Sequence, residues 1–292
     1  MERYERQAQR PLRSVREGRI GTQSALDRGI DATLRHDRWI ALGGLAGVVV
    51  VAWLYLWYTA TGTDQASMSM PAMPGMPAMS GMPSPPRATD AAAFTLALVM
   101  WTVMMAGMML PSAAPTVLLY GAIVRKNGAR GTVLPGVWIF ANAYLLVWAG
   151  FSVAATVLQT LLERASLLTP TLAAASTGAA ALALIVAGVY QLTPLKRSCL
   201  ARCRNPLEFF MTRWRAGPGG AFRMGLEHGA YCVGCCWALM LLLFVAGVMN
   251  LAWVALIAAF VFVEKLFPAV RFVSPLASAA LIVAGLFLLA RA

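Results

Sequence analysis

Apolar runs near twenty residues long alternate with short polar segments along most of the chain. A helix needs about 20 such residues to cross the hydrocarbon core of a bilayer. Read this way, the pattern predicts helical spans at roughly 39–60, 91–122, 133–160, 171–193, 223–249, 251–268 and 273–291. The fold class expected is therefore all-α, a polytopic membrane bundle of about seven helices. The polar interruptions divide it into a basic tail (1–38), a first span (39–60), a Met/Pro-rich loop (61–90) and a transmembrane core (91–292).

Composition strengthens this reading. Of 292 residues, 59% are hydrophobic and only 12% are charged, about half the charged fraction usual for a soluble domain. The formal charge of +12 invites a nucleic-acid reading, but its distribution points to topology. With the N-terminus cytoplasmic, only Arg87, Arg164 and Arg291 of the 24 Lys and Arg fall on the outer side, as the positive-inside rule requires. The tail then pins orientation and can touch anionic lipid. No nucleic-acid motif accompanies the charge, and no nucleic-acid partner is expected.

The outer loop carries Met68, Met70, Met73, Met76, Met79 and Met82, separated by Pro, Gly, Ala and Ser. Such a segment cannot build a core. Thioethers are soft ligands that select Cu(I) and still bind it where thiols would oxidise. The loop therefore reads as a collector of Cu(I) or Ag(I).

Chemistry concentrates in the fifth span, in "EHGAYCVGCCWALMLLLFVAG", Glu227 to Gly247. At about 100° per residue His228, Cys232 and Cys235 share one stripe of a helix, and Cys236 borders it. An imidazole and thiols on one face make part of a coordination shell, which another helix must complete. Glu227 points about 100° away from the stripe, as a supporting or gating carboxylate. Cys235 and Cys236 alone would read as small packing residues; three Cys with one of the chain's two His read as a soft-metal site.

Two further elements are candidates to complete it. The segment "KRSCLARCR" places Cys199 and Cys203 on the inner side, four residues apart. All five Cys then lie toward the reducing compartment, opposite the Met-rich loop. The second span, "MWTVMMAGMMLPSAAP", puts Met100, Met104 and Met108 on one face with Met105 and Met109 beside it. Pro111 and Pro115 are expected to break that helix near its inner end. Glu264 and Lys265, near the inner end of the sixth span, are costly there unless paired or facing a polar cavity. Glu264 has Arg223 or Lys265 as candidate partners.

The order of these motifs, with "GVYQLTPLKRSCLARCRNP" and "VEKLFP", resembles a bacterial family described as predicted metal-binding integral membrane proteins, a domain of unknown function. The resemblance covers roughly 91–270. It implies an inner-membrane location and a metal site on Cys199, Cys203, His228, Cys232, Cys235 and Cys236.

No P-loop, phosphorylatable DKTG or Ser/His/Asp arrangement occurs, so a catalytic role is the lesser expectation. The leading function is Cu(I) handling in uptake, delivery or cuproenzyme assembly, with Zn or Fe as other metals for the site. Its partners are then the lipid bilayer and a copper chaperone or membrane cuproenzyme. Two alternatives are a membrane thiol-disulfide oxidoreductase using Cys232 and Cys235, and an accessory subunit of a larger membrane redox complex.

Overall fold

The computed structural model describes residues 39–61, 91–126, 133–169, 172–174, 176–267 and 272–291. The basic tail and Met68 to Met82 lie outside them. The chain divides after Gly44 into two units, and the description below concerns Leu45–Ala292. The described residues are helical, with one isolated bridge between Leu168 and Ala174 and no strand. In order the helices are α1 (Trp39–Thr61), α2 (Ala91–Lys126), α3 (Val133–Arg164), α4 (Thr177–Leu192) and α5 (Pro194–Arg204). There follow α6 (Pro206–Arg213), α7 (Gly217–Leu241), α8 (Leu243–Ala246), α9 (Leu251–Leu266) and α10 (Val273–Leu289).

Four stretches are long and apolar enough to cross a membrane: α1, α2, α3, and Gly217–Ala246, which joins α7 and α8. A fifth appears only if α4 and α5, bent by 65°, are taken together. The runs expected at 251–268 and 273–291 fold as helices of 16 and 17 residues, short of the usual span of about 20. The fourth run starts late for a local reason. Leu172 has a left-handed φ of 58°, Leu168 bridges to Ala174, and Ser176 caps α4 by accepting the Ala179 N–H.

Helix α2 runs unbroken for 36 residues through Pro111 and Pro115, contrary to the break expected there. Two missing backbone donors do not end a helix whose inward face is packed throughout. Met104, Met105, Met108, Met109, Leu110 and Val117 are all buried.

Small residues set the closest helix pairs, as usual where backbones approach in an apolar medium. On α7, Gly225 and Gly229 abut α3. A Cβ on Gly229 would lie 2.9 Å from Val147 Cβ and 3.2 Å from the Tyr144 carbonyl oxygen. Helices α4 and α10 pack reciprocally through Gly188 and Gly285, and the buried Ser278 hydroxyl donates to the Gly188 carbonyl at 2.6 Å.

The segment carrying Cys199 and Cys203 is a helix. Thr193 caps it by accepting the Lys196 N–H at 3.3 Å, and Pro194 opens its first turn, a start signal that "TP" announces in the sequence. A fully buried ion pair ties α5 to α9: Lys196 Nζ donates to Glu264 Oε1 at 2.5 Å. Ser274 of α10 also donates to that carboxylate, and Arg204 Nε donates to the Glu264 carbonyl at 2.8 Å.

Candidate metal centre

The inward stripe of α7 is buried along its whole length, from Met224 through His228, Cys232, Cys235 and Cys236 to Met240. All five cysteines are free thiols. Two of them bond within the helix, Cys235 donating to the Cys232 carbonyl at 3.1 Å and Cys236 to the same oxygen at 3.0 Å. Such back-bonding folds both thiols along the helix, at the level of Cys232.

Three other helices close on this point. From α2, the Met109 sulfur lies 4.0 Å from Cys236 Sγ; Met104, Met105 and Met108 are buried on the same helix. From α3, the Tyr144 hydroxyl lies 3.0 Å from Cys232 Sγ and 3.3 Å from the Met109 carbonyl oxygen. From α9 comes Lys265, whose buried ammonium reaches Cys232 Sγ at 2.9 Å, Ser112 Oγ at 3.4 Å, Met109 Sδ at 3.9 Å and Cys236 Sγ at 4.0 Å. Cys232, Cys236 and Met109 thus surround one cationic nitrogen.

Helix α5, which carries Cys199 and Cys203, packs against α7 beside this cluster. Gly234 lets α5 come close, because a Cβ there would meet Cys199 Sγ at 2.8 Å. Cys199 and Cys203 are partly exposed. Buried thiols on α7 and partly exposed thiols on α5 thus lie on helices packed against each other.

Other expected members stand apart. His228 is enclosed by rings, with centroids 6.1 Å from Phe140, 5.8 Å from Tyr144 and 5.7 Å from Phe209. Tyr144 connects it to the sulfurs, offering its ring to His228 and its hydroxyl to Cys232. Glu227 faces Arg223, Arg213 and Arg215 at 3.5, 3.7 and 3.8 Å. Glu264 pairs with Lys196, which was not among its expected partners. Among the described residues no three His, Cys, Asp or Glu side chains are grouped to hold a metal by themselves. The gathering of donors depends on Met109, a residue type outside that set.

The profile of the PpoB2 family, described as a copper chaperone, matches residues 98–288. The chain belongs to that family. No curated protein and no solved structure matches it. Membership in PpoB2 supports copper handling, and the donors gathered here, two thiols and a thioether, are soft. The match spans α2 to α10 and so takes in every residue of the sulfur cluster. It also agrees with the metal-related character implied by the sequence resemblance.

Sequence reasoning overlooked Tyr144, Ser112 and Lys196. Ser112 sits inside the quoted "MMLPSAAP" and was passed over beside the methionines. Tyr144 gives no signal in an apolar run, since its role depends on which helix faces it.

Proposed function

We propose that this protein is a Cu(I) chaperone embedded in the bacterial inner membrane, with seven spans and a cytoplasmic N-terminus. The observation that carries the reading is the convergence of Cys232, Cys236 and Met109 on one buried point, within a chain of a copper-chaperone family. Met68 to Met82 collect the ion outside. The methionines of α2, Met104, Met105, Met108 and Met109, bring it to the α7 thiols. Cys235, Cys203 and Cys199 pass it on, by exchange of one thiolate for the next, to a soluble copper acceptor or a membrane cuproenzyme. Each transfer needs only one new sulfur bond before one old bond is lost, so the ion is never bare in the apolar interior. In this reading α9 and α10 cross the bilayer as short helices, with polar residues at their ends reaching the interfaces. His228 and Tyr144 hold the Cys232 turn in place.

A second reading, thiol-disulfide exchange, draws on the packing of α5, with Cys199 and Cys203, against the cysteine helix α7. It gives no part to Met109 or Lys265. Metal analysis separates the two. The full chain is purified anaerobically in detergent from copper-replete cells, beside a Cys232→Ser/Cys236→Ser variant. Near-stoichiometric copper in the wild type that vanishes in the variant is expected. Zinc or iron in copper's place would overturn the copper assignment. No metal in either protein would sink the chaperone reading and promote thiol exchange.

A further inference from the structure

Away from the sulfur cluster, the chain from Pro194 to Leu226 holds seven Lys and Arg against one acid, Glu208. Three of these arginines converge. Arg213 at the end of α6, Arg215 in the turn after it and Arg223 early in α7 face Glu227 at 3.7, 3.8 and 3.5 Å. Among the described residues no second carboxylate lies within ion-pair distance of them, so one acid serves three guanidiniums and two positive charges are left over. The turn that brings them together is tightly built. Gly217 takes a left-handed φ of 78°, and Gly220 lies so close to the Arg215 carbonyl that no Cβ would fit.

Two further observations place this group at a lipid surface. Trp214 stands between Arg213 and Arg215, its ring 5.8 Å from Tyr120 and 6.2 Å from Phe210; Trp and Tyr collect where headgroups meet hydrocarbon. On α6, Phe209 and Phe210 are buried while Leu207 and Met211, one turn apart, are 57% and 79% exposed. Apolar side chains on one side of a short helix, flanked by arginine, suit a helix lying in the interface plane. The 30 residues Gly217–Ala246 extend about 45 Å as helix, beyond a hydrocarbon core of about 30 Å, so the first turns of α7 reach headgroup level.

We propose that α6 and the arginines around Glu227 form a binding site for an anionic phospholipid. The guanidiniums take the phosphodiester, for which their planar fork is suited, and Leu207 and Met211 lie against the acyl chains. Glu227 holds the three cations in one group without neutralising them. An acidic protein would match the charge but supplies no hydrocarbon for Leu207 and Met211. The inference rests on the reading of the chain as membrane-embedded; it is independent of copper.

The test places the full chain in nanodiscs of phosphatidylcholine that contain a minor share of phosphatidylglycerol or, as reference, phosphatidylcholine, brominated on the acyl chains. Bromine quenches nearby Trp fluorescence. Phosphatidylglycerol should quench more than the reference, and Trp214→Phe should remove the excess, which locates the lipid. Arg213→Gln/Arg215→Gln/Arg223→Gln should lower the preference for phosphatidylglycerol roughly tenfold. Arg164→Gln, on the far end of α3, should leave it unchanged. Wild type alone gives a second readout: added salt should weaken the preference by screening. Equal quenching by the two lipids would overturn the inference and leave the membrane and copper readings standing. Loss of the excess on adding inorganic phosphate or poly-glutamate would also overturn it, reassigning the arginines to a free anion or an acidic protein. Release of the chain from cell membranes by alkaline carbonate would instead overturn the embedded reading itself.

Discussion

At the scale of single residues, the sulfur cluster separates donors that touch from donors that only share a helix. Met109 is the thioether set against Cys236 and Lys265, so its sulfur should matter more than its bulk. Met109→Leu conserves volume and should leave the melting temperature nearly unchanged, since such swaps usually cost under about 1.5 kcal/mol. Its Cu(I) dissociation constant should rise about tenfold, equivalent to about 1.4 kcal/mol, in competition with a chromophoric Cu(I) chelator. An unchanged dissociation constant would make Met109 a packing residue. The spacing of His228 joins it to the cysteine stripe, its ring neighbours come from α3 and α6, and Tyr144 links it to Cys232.

Among elements, the pairing of α3 with α7 decides the site, because Tyr144 reaches Cys232 only while the two backbones stay close. That closeness requires Gly225 and Gly229, where added methyl groups would enter α3. Gly229→Val should lower thermal stability by about 1–3 kcal/mol through overpacking and weaken copper retention with it. Gly150 lies on α3 itself, where an added Cβ meets nothing within 4 Å, so Gly150→Val is the control. A thermal melt of both variants in detergent checks this; equal melting temperatures would remove the glycine contact from the account. The helix α5 makes the same point from the other side. Its cap and proline were legible in "TP", but its docking was not. The Lys196–Glu264 pair links residues 68 positions apart, and no local pattern announces such a partner.

For the whole molecule, the charge asymmetry and the placement of the cysteines make one joint prediction about access. If the tail side is cytoplasmic, a membrane-impermeant thiol reagent should leave all five cysteines untouched in intact cells. After permeabilisation Cys199 and Cys203, which are partly exposed, should label within minutes. Cys232, Cys235 and Cys236, all buried, should label only on denaturation. Mass mapping of the labelled peptides reads the result, and reaction of Cys199 from outside the cell would reverse the orientation.

Alone, the sequence determined the helical class, the apolar spans and the inventory of soft donors, because these follow from hydropathy period, length and residue type. It also placed the soft donors on α2, α7 and α5, since helical spacing places Cys232 beside Cys235 and Met104 beside Met108 whatever the fold. The tertiary structure decided which donors meet. The sequence shows Lys265 only as a charge that is costly at its depth unless paired or facing a polar cavity, and the packing of α9 against α2 and α7 puts it among sulfurs. The runs at 251–268 and 273–291 read as full spans by composition, but the folded helices within them are shorter. Composition along a chain reports how apolar each element is. Which faces touch is set by close packing between residues far apart in sequence, at Gly229 on Val147, Met109 on Cys236 and Lys196 on Glu264, and those contacts have no one-dimensional signature.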